Sequence, residues 1–154
     1  MKKVGSKKNI LVIVSGGIAA YKSLDLIRLF LKNNFEVNCI ITKSVPNFVS
    51  PLTFESLLGK EIYSDLFSLN SSKEMSHINL GQEIDLVLVV PATANFIGKM
   101  ANGIADDLAS TVILASNSPI FLAPAMNTKM LKNKAVQDNL KLLKKRGIKI
   151  LEPN

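Results

Sequence analysis

Asn9-Ile-Leu-Val-Ile-Val14, followed at once by Ser15-Gly16-Gly17-Ile18, is the stretch on which the reading of the fold turns. Asn9 to Val14 carries no charge and is β-branched at Ile10, Val12, Ile13 and Val14, so it predicts a short strand buried on both faces rather than one that alternates between core and water. Small residues then break the run. A helical pattern follows from Ile18 to Lys32, with Ala20, Leu24, Ile27 and Leu31 on one face and Asn33-Asn34 to close it. Glu36 to Ile41 reads as the second strand.

The same alternation continues along the chain. Ser50-Pro51, Leu52 to Leu58 and Gly59 predict a short helix with proline in its first turn and glycine at its end. Residues 64 to 76 are polar and predict an exposed loop. Asp85 to Val90 is the most apolar strand, expected to stop at Pro91, and a helix opens in Ala92-Thr93-Ala94-Asn95. Gly103 divides that helix from another whose start is favoured by Asp106-Asp107. Ile120 to Ala123 is a strand ending at Pro124; a helix from Lys134 to Arg146 and a strand from Ile148 to Leu151 finish the pattern. Strands alternating with helices predict a single-domain α/β fold, a doubly wound parallel sheet.

Composition removes several functional classes. The 154 residues are 47% hydrophobic and 20% charged, which excludes intrinsic disorder and suits one domain. The apolar runs end at Ser15-Gly16 and Pro91, far short of the roughly 18 residues of a membrane helix, so no membrane association is expected. The net charge of +7 sits at the ends: residues 9–128 sum to −3, and no aromatic residues interleave with the terminal lysines, so no nucleic-acid face is expected. One cysteine, Cys39, and one histidine, His77, form neither a disulfide framework nor a zinc cluster, so no metal is expected. The apolar core behind the first four lysines is about five residues, below the roughly 7 to 15 of a signal peptide, which points to a reducing cytoplasm.

In open parallel sheets ligands bind beyond the carboxyl ends of the strands. Four segments qualify: Ser15 to Ile18, Thr42 to Val45, Pro91 to Asn95 and Pro124 to Asn127. Ser15, Gly16 and Gly17 put free backbone N–H groups at a helix start, which suits a phosphate or simply a tight turn. The full G-x-G-x-x-G spacing is missing, and no acidic residue follows Ile41 to hold a ribose, so a mononucleotide or flavin is favoured over a dinucleotide. Thr42 and Ser44 add hydroxyls beside Lys43, either to finish a phosphate site or to cap a loop. Ala92, Thr93, Ala94 and Asn95, and likewise Ala125, Met126 and Asn127, let a flat ring approach backbone, with an asparagine amide as donor and acceptor; helix capping is the plainer use of Asn127. His77 is the one side chain with an ordinary pKa near neutrality. It lies before the Asp85 strand, roughly 20 Å of chain from the carboxyl edge at about 3.3 Å per residue.

Ser15-Gly-Gly-Ile-Ala-Ala-Tyr-Lys22, His77-Ile-Asn-Leu80, Pro91-Ala-Thr-Ala-Asn95, Met100-Ala-Asn-Gly-Ile-Ala-Asp-Asp-Leu108 and Pro124-Ala-Met-Asn127 occur in that order. Together they resemble the phosphopantothenoylcysteine decarboxylases, within the homo-oligomeric flavin-containing cysteine decarboxylases, from about Lys8 to the end. The resemblance implies a Rossmann-like flavoprotein fold and an FMN enzyme. Its implied reaction converts 4′-phospho-N-pantothenoylcysteine to 4′-phosphopantetheine in coenzyme A synthesis. In such enzymes the cysteinyl thiol is oxidised, the carboxylate leaves as carbon dioxide, and the enethiol is then reduced. By resemblance His77 is the proton acceptor, Asn127, beside Met126, holds the substrate carboxylate, and Gly17, Thr42, Ala92 to Asn95 and Ala125 contact FMN. It also implies a homo-oligomer, a trimer or a dodecamer, with sites shared between subunits, so that His77 acts on a flavin held mainly by another chain.

The sequence departs from that family at its end. Glu152-Pro153-Asn154 falls short of the flap that carries the family's proton-donating cysteine and of the synthetase domain found in many bacterial versions, and Cys39 matches no family cysteine. The expectation is a single decarboxylase domain whose reductive half-reaction is slow. Two alternatives follow: a peptidyl-cysteine decarboxylase, which needs no such cysteine, and a non-catalytic flavin-binding regulatory subunit.

Overall fold

The computed structural model describes residues 5–64 and 84–152. Within them five strands form one parallel sheet: β1 (Asn9–Val14), β2 (Glu36–Ile41), β3 (Leu86–Ala92), β4 (Ile120–Pro124) and β5 (Lys149–Ile150), in the order β2-β1-β3-β4-β5. Every pairing is parallel, as the expected doubly wound architecture requires.

Side chains of β1 alternate between two layers. Leu11 and Ile13 enter a core with Phe96, Ile97, Leu108, Val112 and Leu143, whereas Ile10, Val12 and Val14 enter one with Ile27, Phe54 and Val45. These cores belong to helices on opposite faces: α1 (Lys22–Lys32) and α2 (Pro51–Leu58) on one, α3 (Ala94–Asn102), α4 (Leu108–Ala115) and α6 (Lys134–Lys145) on the other. Hence β1, an interior strand, contains no polar residue after Asn9: it has no wet face. A short helix, α5 (Thr128–Lys132), precedes α6 and is separated from it by Asn133, whose side chain accepts a hydrogen bond from the Ala135 N–H.

Three local expectations are corrected. The helix expected from Ile18 to Lys32 begins as a tight 3₁₀ turn over Ile18–Tyr21 and becomes α-helical only at Lys22. Pro91 does not stop its strand; β3 runs through it to Ala92. The register between β3 and β4 shifts between Val89 and Ala92, and in such a bulge the ladder asks no N–H of the proline. The last strand is confined to Lys149–Ile150. Helix closures match the sequence signals: Asn34 and Gly59 adopt left-handed backbone, with φ of 66° and 70°. The loop expected over 64–76, apart from residue 64, and His77 lie outside the described residues.

Leu11 is completely buried in β1. Leu11→Ala is expected to lower unfolding free energy by about 3 kcal/mol, read from the urea midpoint at unchanged slope. Burial also pushes the Cys39 thiol up to about 12. At pH 8 it therefore stays protonated and enclosed, and a disulfide reagent is expected to label it only after denaturant unfolds the chain.

Candidate functional site

From β1 the chain moves to β2 on one side and then to β3 on the other, so the sheet's topological switch point lies between β1 and β3. At their carboxyl ends a single hydroxyl joins the loops that follow. Ser15, 2% exposed, donates its Oγ–H to the Pro91 carbonyl at 2.5 Å and accepts from the Thr93 N–H at 3.0 Å. Its own N–H also reaches the Pro91 oxygen, at 3.3 Å.

The neighbouring loops are drawn in by two further constraints. A Cβ on Gly16 would lie 2.0 Å from Ser44 Oγ and 2.8 Å from the Ser44 carbonyl carbon, so only glycine lets the loops after β1 and β2 approach this closely. Beyond β3, the Ala125 N–H donates to the Ala92 carbonyl at 3.0 Å, fastening the loop after β4 to its neighbour. Caps then launch the helices. Thr93 Oγ1 accepts from the Phe96 N–H at the start of α3, and Asn127 Oδ1 accepts from the Met130 N–H at the start of α5.

Two hollows result. A cleft of about 760 Å³ has Gly17, Ile18 and Lys22 on one wall and Ala125, Met126 and Asn127 on the other, with Val90 and Pro91 between them. A recess of about 50 Å³ lies on the β2 side, lined by Ser15, Gly16, Thr42, Ser44, Thr93 and Asn95, together with Lys43, Lys99 and Asp107. Of the residues expected at the site, six therefore line the recess and Gly17, Ala125, Met126 and Asn127 line the cleft. Ala92 lines neither, because its side chain is wholly buried in the core and its carbonyl is taken by Ala125. Ala94, the first residue of α3, lines neither as well.

The sequence reading missed Lys22, Lys99 and Asp107. For Lys99 helical spacing was the available signal, since it lies four residues after Asn95 on the same face of α3. Lys22 is the only charged residue among the described residues lining the cleft. Lys99 contacts Asp106 at 2.9 Å and Asp107 at 3.5 Å. Its hydrogen bond to Asp106 is the main cause that lifts Lys99 above the ordinary lysine range and holds the Asp106 carboxyl below the usual carboxylate range. The pairing is thus intact at neutral pH and weakens only as acid protonates Asp106 or alkali discharges Lys99.

Thr42 Oγ1 is buried and has no hydrogen-bond partner among the described residues. A buried hydroxyl left unpaired costs about 1–3 kcal/mol. In the ligand-free chain Thr42→Val is therefore expected to raise stability by about 1 kcal/mol in a denaturant titration; a loss would mean that the hydroxyl is already satisfied.

Comparison with known proteins joins this geometry to a family. The family model described as Flavoprotein matches residues 2–154. The chain is 44% identical over 149 residues to the coenzyme A biosynthesis bifunctional protein CoaBC of Bacillus subtilis (strain 168), covering 97% of this chain and 37% of that protein. It is 41% identical over 148 residues to a probable phosphopantothenoylcysteine decarboxylase of Streptococcus mutans, covering 95% and 83%. The chain thus spans little more than a third of the bifunctional relatives. Among solved structures, a PPC decarboxylase mutant complexed with pantothenoylaminoethenethiol superposes with a TM-score of 0.80 at 30% identity, covering 97% of this chain and 84% of that one. The FMN-dependent cysteine decarboxylase TvaF from thioviridamide biosynthesis reaches 0.86 at 28% identity, covering 96% and 91%. A parallel sheet whose switch point is built from glycine, hydroxyl and proline-flanked loops, and a family model that spans nearly every residue, lead to one conclusion: the chain belongs to the Flavoprotein family.

Proposed function

We propose that this chain decarboxylates 4′-phospho-N-pantothenoylcysteine to 4′-phosphopantetheine, a step of coenzyme A synthesis in the cytoplasm, with FMN as its flavin. The observation that carries the reading is the cleft itself, where the Gly17–Lys22 wall faces Asn127 across an apolar floor. The S. mutans relative, of which the chain covers 83%, bears the name of this activity.

The residues suit a flavin mononucleotide. Gly16 leaves no room for a side chain where the loops meet, and Thr42 holds a buried hydroxyl that lacks a partner. The adjoining recess is small and hydroxyl-lined, as a single phosphate group needs, while the larger apolar cleft suits a flat ring. A flavin held there would supply the two-electron redox chemistry that the decarboxylation requires.

This chain's own side chains account for recognition. Because Asn127 spends its Oδ1 on the Met130 N–H, the amide's orientation is set and its two N–H donors remain for a carboxylate. Lys22 offers an exposed counter-charge to an anionic substrate. The peptide reading retains one point in its favour, the likeness to the peptidyl-cysteine decarboxylase EpiD, with a TM-score of 0.82 at 30% identity, but the greater sequence identity lies with the coenzyme A proteins. His77 completes the proposal as proton acceptor. It precedes β3, whose seven residues span roughly 23 Å, so it reaches the carboxyl-end site either through a loop that folds back or, in the reading proposed here, from a second subunit of a homo-oligomer, trimeric or dodecameric.

The test is mass spectrometry of products from FMN-loaded protein given 4′-phospho-N-pantothenoylcysteine. Loss of carbon dioxide over many turnovers is expected. Asn127→Asp preserves the helix cap but sets a like charge against the substrate carboxylate, so turnover is expected to fall on the order of 100-fold with flavin retained. Bound flavin without any decarboxylated product in the wild type would leave a binding subunit as the reading.

A further inference from the structure

We propose that Lys99 is the cation that recognises the phosphate of the flavin, and so sets the preference for FMN over riboflavin. The proposal rests on the FMN reading above and assigns a role to a side chain that the sequence motifs did not single out.

The recess is lined by two cations, Lys43 and Lys99, against one carboxylate, Asp107. These cations differ in how they are held. Lys43 is exposed, so its attraction for a ligand is screened by water and salt. The Lys99 side chain is only 16% exposed, and its ammonium is fixed by Asp106 at 2.9 Å and Asp107 at 3.5 Å. An ammonium has three N–H donors, of which the two carboxylates take two. The third is available on the side of the recess that Lys99 lines.

Two carboxylates beside a lysine do not by themselves make an anion site. Independent support comes from Thr42, 8% exposed, which lines the same recess and whose hydroxyl has no partner among the described residues. A hydroxyl without a partner and an ammonium with a spare donor, both lining one recess, are complementary to an oxyanion. The carboxylates also settle the geometry in advance: Asp107 is itself immobilised as the cap of α4, accepting from the Ser110 N–H at 2.7 Å. A lysine so anchored loses little side-chain freedom on binding, which is where a flexible surface lysine would forfeit affinity. Their charge keeps Lys99 protonated through neutral pH.

FMN and riboflavin share ring and ribityl chain and differ in the phosphate, so their affinity ratio isolates this contact. Equilibrium ultrafiltration of flavin-loaded protein, with flavin fluorescence reading the free ligand, gives both dissociation constants. In Lys99→Met, FMN is expected to bind roughly tenfold or more weakly while riboflavin changes less than about twofold. Lys99→Arg should restore most of the ratio. If Lys99→Met fails to fold, Lys99→Gln keeps a donor for Asp106 and carries the same expectation. An equal loss for both flavins would reduce Lys99 to a strut between α3 and α4 and overturn the proposal. So would an unchanged ratio, or a ratio lost in Lys43→Met instead. A wild-type protein that binds riboflavin as tightly as FMN would overturn it through the underlying assignment of the recess to a phosphate.

Discussion

The Ser15 hydroxyl is the contact on which the site depends. It sits where β1 and β3 diverge, hidden from water, and satisfies one carbonyl and one N–H of a loop 76 to 78 residues away in sequence. Without it, the segment that begins α1 and the segment that begins α3 would have no side-chain hydrogen bond joining them among the described residues. With it, the glycine turn after β1 and the proline bulge after β3 form opposite lips of one crevice. The Pro91 carbonyl accepts from both the Ser15 hydroxyl and the Ser15 N–H.

The remainder of the architecture supports that crevice and is otherwise ordinary. Two apolar layers clamp β1 from both sides, so its position is set by burial, and the loop at its end inherits that rigidity. Where the site requires it, the molecule tolerates local cost. Gly16 forgoes a side chain to let Ser44 approach, Thr42 buries a hydroxyl without a partner, and Asp107 is shared between a helix cap and an ion pair. The first two oppose stability in the isolated chain, whereas the cap and ion pair of Asp107 support it.

Strands and their order of appearance were legible because β-branched runs of six residues bounded by glycine, asparagine or proline have few other uses. β1 and β2 lie where the sequence places them, at Asn9–Val14 and Glu36–Ile41. Pro91 misled because the strand shifts register against β4 between Val89 and Ala92, and β4 lies some thirty residues later in the sequence. The post-strand segments were legible as a site since topology alone places them together. The division into cleft and recess was not, for it comes from the Gly16–Ser44 approach and the Ala92–Ala125 bond, neither of which leaves a local pattern. Lys22 and Lys99 were overlooked because a lysine on a helix reads as solvated surface until the neighbouring loops close around it.

Removal of the Ser15 hydroxyl tests this account most directly. The measurement is the amount of FMN retained per chain in Ser15→Ala, alongside its thermal unfolding. The account predicts a folded protein, destabilised by about 1–3 kcal/mol, that loses most of its capacity to hold added FMN because the Thr93 N–H loses its acceptor and only the backbone bond from the residue 15 N–H to the Pro91 carbonyl still ties the two lips. Ser15→Ala that keeps FMN at wild-type affinity would contradict it, and would place the organising contact elsewhere.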